Sequence, residues 1–401
     1  MRCASSWTGV LAENWETGGF GLYVHWPFCE AKCPYCDFNS HVTRSVDIER
    51  WRAAFIAELH RCFEAVGPRR LNSIFFGGGT PSLMDPGLVA DIIDTATGFW
   101  PPMPDIEITL EANPRSVEAA RFSDFRSAGV NRVSMGIQAL NDRDLARLGR
   151  LHSLDESLRA LGTARDVFER VSFDLIYARQ DQSLDDWRNE LRRAMDLTGD
   201  HVSLYQLTIE RGTAFWERQR RGALQGLPDD DRAADMFDAT DEICTAHGLK
   251  RYEVSNHAVP GGESRHNLVY WRYGDYIGVG PGAHGRLTLN GARYATEAWR
   301  NPGAWLDAVE RGDGTRVLDH LSGWDQALEY LMLGLRIQEG IDMDRLHKFD
   351  PQIATPELCT PLKDAGLLWQ RGQRIGVTDS GQLLLNSVLA ELVPDQVTET
   401  G

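Results

Sequence analysis

Three cysteines within eight residues, Cys29-Glu-Ala-Lys-Cys33-Pro-Tyr-Cys36, hold the densest chemistry in the chain. Thiols four and then three positions apart, flanked by Tyr23, His25, Trp26, Tyr35 and Phe38, can gather around metal. A cubane 4Fe–4S cluster is normally held by four thiolates. Three leave one iron open to a small molecule that carries amino and carboxylate groups, and the cluster then becomes a reagent instead of an electron carrier. Zinc is the competing reading: structural zinc takes four closed ligands, and His25 or His41 could supply the fourth. A structural disulfide fits less well. The chain has 7 cysteines, an odd number, and residues 1–20 hold no apolar signal core, so a reducing, cytoplasmic setting is expected. Cys62 falls at helical spacing and reads as packing, whereas Cys3, Cys244 and Cys359 are isolated.

Net charge bounds the partners. With 42 basic against 58 acidic residues the chain carries −16, which argues against a large nucleic-acid footprint, since phosphate binding needs a basic face. The local run Arg218-Gln-Arg-Arg221 reads as a solvated helix face. No apolar stretch approaches the ~20 residues of a membrane helix, so no membrane span is expected.

The elements that must position the cysteines alternate along the chain. Expected strands are Leu22–Trp26, Ser73–Phe76, Ile106–Glu111, Arg132–Ile137, Val171–Ile176 and His201–Leu207. Expected helices lie between them. Trp51, Phe55, Leu59, Phe63 and Val66 form one apolar stripe; others cover Leu88–Phe99, Val117–Ala128, Asp142–Phe168 (as two helices) and Asp185–Leu197. Asp85, Ser116, Asn141 and Ser183 read as their caps. Six βα units imply a parallel α/β sheet, as an open, partial (β/α)6 TIM-like barrel or, alternatively, a doubly wound sheet. In either fold, ligands meet the C-terminal ends of strands. The cysteine loop follows the first strand and Gly77-Gly-Gly-Thr-Pro81 the second; Glu111 ends the third, Gln138 the fourth, and Asp174 lies in the fifth. Further on, residues 229–247 read as helix and Tyr252–His257 as a strand. From Ser322 a separate α+β module is expected: a helix through Leu328–Ile337, a second helix, then a two-stranded wing of Arg374–Thr378 and Gln382–Asn386. That winged-helix-like module is expected to pack against its own chain, not DNA, because it lacks a basic recognition helix.

Tyr23-Val-His-Trp-Pro-Phe-Cys29, the three-cysteine motif and Phe75-Phe-Gly-Gly-Gly-Thr-Pro81 together resemble the radical S-adenosylmethionine (radical SAM) superfamily. Asn131-Arg-Val-Ser-Met-Gly-Ile-Gln138 and Asp174-Leu-Ile-Tyr177 narrow the resemblance to its oxygen-independent coproporphyrinogen III oxidase family. Two features favour the heme-chaperone members over the oxidases. Phe38 stands where the oxidases have a further cysteine, and His266-Asn-Leu-Val-Tyr270-Trp271 matches the HNxxY motif of the chaperones. The resemblance spans roughly residues 20–395. It implies an N-terminal extension (1–20), a radical SAM partial barrel (21–210), a barrel extension with the HNxxY motif (211–315) and a C-terminal winged-helix-like domain (316–401).

The resemblance further implies a 4Fe–4S cluster on Cys29, Cys33 and Cys36, with S-adenosylmethionine on the fourth iron. Tyr23, Gly78, Gly79, Thr80, Glu111, Gln138, Arg150 and Asp174 would contact S-adenosylmethionine, the glycines offering amides to its carboxylate. His266 would ligate heme iron, with Tyr270 beside it. The function implied is a chaperone that takes heme and passes it to an unidentified acceptor protein; the electron donor is likewise unidentified. The alternative is the oxidase, which oxidatively decarboxylates coproporphyrinogen III. One departure stands out: where the family carries Gly-Leu-Pro-Gly-Gln-Thr, this chain has Ala178-Arg-Gln-Asp-Gln-Ser183.

Overall fold

A computed structural model describes residues 15–43 and 45–394. Cys3, most of the expected N-terminal extension and residues 395–401 lie outside the described residues.

Every strand expected for the barrel forms. They are β1 (Phe20–Trp26), β2 (Leu71–Gly78), β3 (Pro102–Ala112), β4 (Arg132–Gln138), β5 (Arg170–Tyr177) and β6 (His201–Gln206). They continue into β7 (Lys250–Glu253), β8 (Asn256–Ala258), β9 (Asp275–Val279), β10 (His284–Leu289), β11 (Ala292–Ala298) and β12 (Thr315–His320). All belong to one sheet in the order β12-β11-β10-β9-β1-β2-β3-β4-β5-β6-β8-β7. From β9 to β6 every pairing is parallel, and both flanks are antiparallel. The sheet is open; its ends do not meet, so the barrel is partial.

The seventh parallel strand, β9, was not expected. Its seat beside β1 is fixed at Asp275, which is fully buried. Asp275 accepts from Arg69 (2.5 Å), from Arg293 (2.7 Å) and from the Thr288 hydroxyl (3.0 Å). Its own amide donates to the Gly19 carbonyl at 3.0 Å. Just before it, a Cβ on Gly274 would stand 2.5 Å from that carbonyl, so only glycine lets the two segments approach.

Helices cover the sheet as the apolar stripes require. In Ile48–Val66, Trp51, Phe55, Leu59 and Cys62 are buried, and Trp51 stacks on Trp305 of Pro302–Glu310 with centroids 5.5 Å apart. The side chains of Asp85, Asn141 and Ser183 cap their helices. Ser116, the expected cap, is instead the first residue of a short helix, Ser116–Ala119, and the expected single helix is split by a second piece, Phe122–Ser127. The break falls at Arg121, whose guanidinium reaches back to the Ser82 and Met84 carbonyls, at 2.6 Å for the latter. The expected strand Tyr252–His257 is two strands, because Glu253 accepts from the Ser255 amide (3.0 Å) and turns the chain.

The C-terminal module has its own core of Ala327, Leu331, Leu346, Leu362, Ile375 and Val388 among others. Helices Gly323–Gly334, Met343–Phe349 and Pro356–Asp364 pack on a three-stranded sheet of Ile341–Asp342, Arg374–Val377 and Leu368–Arg371. The wing therefore lies one strand earlier than expected. Its two-residue turn holds Gly372 at φ 59, a conformation suited to a tight hairpin. Residues 379–383 are helical, with Thr378 as the cap. Among the described residues no helix is long and apolar enough to cross a membrane.

Candidate functional site

Strand β1 delivers the chain straight into the cysteine loop. Cys29 sits in a short strand, Phe28–Cys29, paired with His41–Val42, and the Cys33 carbonyl accepts from the Cys36 amide at 3.1 Å. The three thiols line one cavity of about 360 Å³ together with Gly78, Gly79, Thr80, Glu111, Gln138, Arg150 and Asp174. Residues from four strands, β2 to β5, thus meet the cysteines.

Each sulfur has a polar neighbour. The Thr80 hydroxyl donates to Cys29 Sγ at 3.4 Å, Arg150 Nη1 donates to Cys33 Sγ at 3.4 Å, and Cys36 Sγ lies 4.0 Å from the Ser40 hydroxyl. Burial pushes the Cys29 and Cys36 thiols up. A coordinated metal reverses that, because ligation deprotonates a thiol outright. Among the described residues no three thiol, imidazole or carboxylate side chains form a single-ion site. His25 is poorly placed to complete a zinc site, since its Nδ1 bonds the Tyr23 hydroxyl (2.9 Å) and its Nε2 bonds the Asn39 carbonyl (3.0 Å). A cubane asks something different, one thiolate for each of three irons.

The other wall is acidic, buried and incompletely satisfied. Glu111 is pushed up to about 8, first by burial and then by the charge of Asp174. Asp174 is pushed up to about 6 by burial, against the hydrogen bonds of Ser203 and Ser134. Two neighbouring acids that resist ionising favour a cationic guest. Gln138 holds φ 75, a strained value for a residue with a side chain, and its buried Oε1 has no partner; nor has Arg150 Nε. Three thiols, an acidic pair and unmatched polar atoms around one void fit an iron–sulfur cluster with S-adenosylmethionine, whose sulfonium and ammonium carry positive charge.

One expectation needs correction. The amides of Gly78, Gly79 and Thr80 do not stand free for a carboxylate. They donate to Glu111 Oε2 (3.2 Å), the Trp26 carbonyl (2.7 Å) and the Phe28 carbonyl (2.9 Å): the first bond reaches to β3, and the other two continue the pairing of β2 with β1 beyond their ends. Close approach is why Gly79 is glycine: a Cβ there would stand 2.7 Å from the Phe28 carbonyl oxygen.

Tyr23 is not on the cysteine cavity. It lines a second cavity, of about 370 Å³, behind Gly78 and Glu111, and Tyr270 lines that cavity too. His266 lines neither, although the space it borders shares Tyr23, Glu111 and Tyr270 with the second cavity and Glu111 and Asp174 with the first. It lies in the helix Arg265–Trp271, is 1% exposed and borders a smaller space of about 180 Å³. Its Nδ1 bonds the Ser73 hydroxyl (2.8 Å), its Nε2 bonds the Tyr270 hydroxyl (2.6 Å), and its ring stacks on Phe75. Burial lowers its pKa to about 3, so the ring is neutral.

The departing turn, Ala178–Ser183, does not line the cysteine cavity. Ala178 nevertheless holds the left-handed φ, 57, that a glycine would take. Buried Arg179 anchors the turn to Asp144 (3.1 Å) and to Glu190. Sequence reasoning missed Asn113, which donates to the Thr80 hydroxyl (3.1 Å) and accepts from Arg150 Nη2 (2.5 Å). It also gave no role to Tyr35, the neighbour of Cys33 and Arg150. Their positions, just past a strand end and between two cysteines, were the available signals.

Comparison with known proteins agrees with this geometry. The Radical SAM superfamily pattern matches residues 23–194, and the HemN C-terminal domain pattern matches residues 321–384. The chain is 39% identical over 384 residues to the mitochondrial radical S-adenosyl methionine domain-containing protein 1 of Bos taurus, covering 93% of this chain and 87% of that protein. It is 37% identical over 374 residues to heme chaperone HemW of Escherichia coli, covering 92% and 96%. In fold it resembles coproporphyrinogen III oxidase (HemN) of Escherichia coli, with a TM-score of 0.77 at 23% identity, over 93% of this chain and 89% of that one.

Proposed function

The chain belongs to the HemW-type proteins of the radical SAM superfamily, and from that premise we propose that it binds heme beside its cofactor cavity and hands it to an acceptor protein. Superfamily membership implies a 4Fe–4S cluster and S-adenosylmethionine. Cys29, Cys33 and Cys36 would hold the cluster. When bound, a cluster with one open iron supplies an electron to S-adenosylmethionine.

The chain's own residues define the rest. Glu111 and Asp174 receive the positive charge of S-adenosylmethionine, Gln138 offers its unmatched oxygen, and Arg150 steadies Cys33. Gly79 lets the chain pass close to the cluster loop. The observation that carries the heme reading is the shared wall: Gly78 and Glu111 line both the cysteine cavity and the second, tyrosine-rich cavity. A tetrapyrrole in the second cavity would sit one residue's thickness from the cofactor. Tyr270 faces that space and His266 holds Tyr270 in place. The bonds on both ring nitrogens of His266 keep it from iron unless one is broken.

Heme titration of the anaerobically reconstituted protein, followed at the Soret band, tests the reading, with apomyoglobin as a probe acceptor. Saturable, near-stoichiometric uptake and onward transfer are expected. Turnover of coproporphyrinogen III to protoporphyrinogen IX under the same conditions would overturn it in favour of the oxidase.

A further inference from the structure

The second cavity contains an imidazole with no assigned role. His284 opens β10 and lines this cavity with Phe38, Tyr270, Tyr276 and Arg300. We infer that the second cavity is the docking site for the iron tetrapyrrole, with His284 as the axial ligand to iron and Arg300 as the partner of a propionate. The inference rests on the heme-binding reading above and names the imidazole that serves it.

Size, chemistry and availability all separate His284 from His266. Ligand sites for molecules of this class run to roughly 300–1,000 Å³. The second cavity, at about 370 Å³ and open to solvent on one side, reaches that range. The space beside His266, at about 180 Å³, does not. His284 is exposed, and its ring makes no hydrogen bond or ion pair among the described residues. His266 is enclosed and bonded through both nitrogens. Iron needs a neutral imidazole with a free lone pair.

The surroundings suit a flat, dianionic macrocycle. Tyr270 and Tyr276 meet edge to face with centroids 4.4 Å apart, giving an aromatic wall. Phe38, 56% exposed, adds an apolar ring to the lining of the same cavity. The Arg300 side chain makes no hydrogen bond or salt bridge among the described residues, while nearby Glu297 is already paired with Arg316 at 2.7 Å. The backbone under His284 is fixed: it pairs across to Glu297, and a Cβ on Gly278 of β9 would stand 2.0 Å from the His284 carbonyl oxygen. The motif around His266 then acts as positioning structure, setting the Tyr270 ring that forms one side of the cavity.

Ferric heme titrations of the wild type, His284→Ala, His266→Ala and Arg300→Glu, read by Soret position and low-spin electron paramagnetic resonance, test this. Metal-free protoporphyrin IX serves as the second probe. His284→Ala should lose the histidine-ligated spectrum and weaken heme binding about tenfold or more, leave protoporphyrin binding unchanged, and regain the spectrum with added imidazole. Arg300→Glu should weaken both ligands. His266→Ala, once circular dichroism shows it folded, should keep the axial-histidine spectrum. A wild-type spectrum in His284→Ala, or loss of the signature in folded His266→Ala alone, would overturn the assignment. If the wild type takes up no heme, the heme-binding reading fails and this assignment falls with it.

Discussion

The cysteine cavity and the His266 side chain belong to the same sheet and share the acids Glu111 and Asp174 as neighbouring walls, yet their polar groups are used differently. Around the cysteines, two buried acids are held above their usual range, Gln138 Oε1 and Arg150 Nε lack partners, and one backbone position is strained. Around His266 the ring and its amide are matched, while Trp271 Nε1 on the same helix and His201 Nδ1 on the same space are not. Both ring nitrogens are bonded, and Glu107 accepts from the His266 amide (3.2 Å) and the Ser264 hydroxyl (3.3 Å). Buried polar groups are expensive to leave unmatched, so a region that leaves them so is shaped around something it binds. The His266 imidazole, bonded through both nitrogens, holds its neighbours in place.

Substitutions should split along that line. Cys33→Ser should give the largest effect, abolishing the iron–sulfur absorbance of anaerobically reconstituted protein while the urea midpoint stays near wild type. An intact cluster in that variant would remove Cys33 from the ligand set. His266→Ala should do the reverse. It strands the Ser73 and Tyr270 hydroxyls, which costs about 1–3 kcal/mol for each left buried and unpaired, and it should lower the urea midpoint while iron and sulfide content remain unchanged. Equal stability in this variant would mean the helix is not a support.

Glu111 sharpens the comparison through pH. Its folded pKa of about 8 lies above the ordinary glutamate value of 4.5, so the folded state binds the extra proton between those values. Its contribution to stability is therefore highest below pH 4.5 and falls as pH rises towards 8. Thermal melts of the ligand-free protein should show that fall, and Glu111→Gln should flatten it. S-adenosylmethionine binding near pH 7 should also release part of a proton, visible as a buffer-dependent enthalpy in calorimetry. The smallest effect is expected from Asn113→Ala, which removes one bond each to Thr80 and Arg150 and should weaken S-adenosylmethionine binding only a few-fold. A loss as large as that of a cysteine variant would make Asn113 a direct contact.

Much of this was legible in the sequence because it is local. Alternation and caps placed six strands within a few residues of their ends, and the site residues could be read as strand-end residues. What stayed hidden depends on partners far along the chain. Strand β9 looked only aromatic and glycine-rich, since the partners of Asp275 stand at Arg69, Thr288 and Arg293. The amides of Gly78, Gly79 and Thr80 looked free because their acceptors, Glu111, Trp26 and Phe28, belong to other strands. Tyr23 and His266 were assigned by motif, and a motif does not say which cavity a side chain faces. The wing was misplaced because Gln382-Leu-Leu-Leu-Asn386 has the composition of a strand, whereas Thr378 caps a helix there.

The most direct test of the central claim is electron paramagnetic resonance of the reduced, anaerobically reconstituted protein with and without S-adenosylmethionine. A 4Fe–4S signal that changes when S-adenosylmethionine is added, and is absent from Cys33→Ser, is the predicted result. A signal indifferent to S-adenosylmethionine, or one that survives loss of Cys33, would contradict a three-cysteine cluster with an open iron in this cavity.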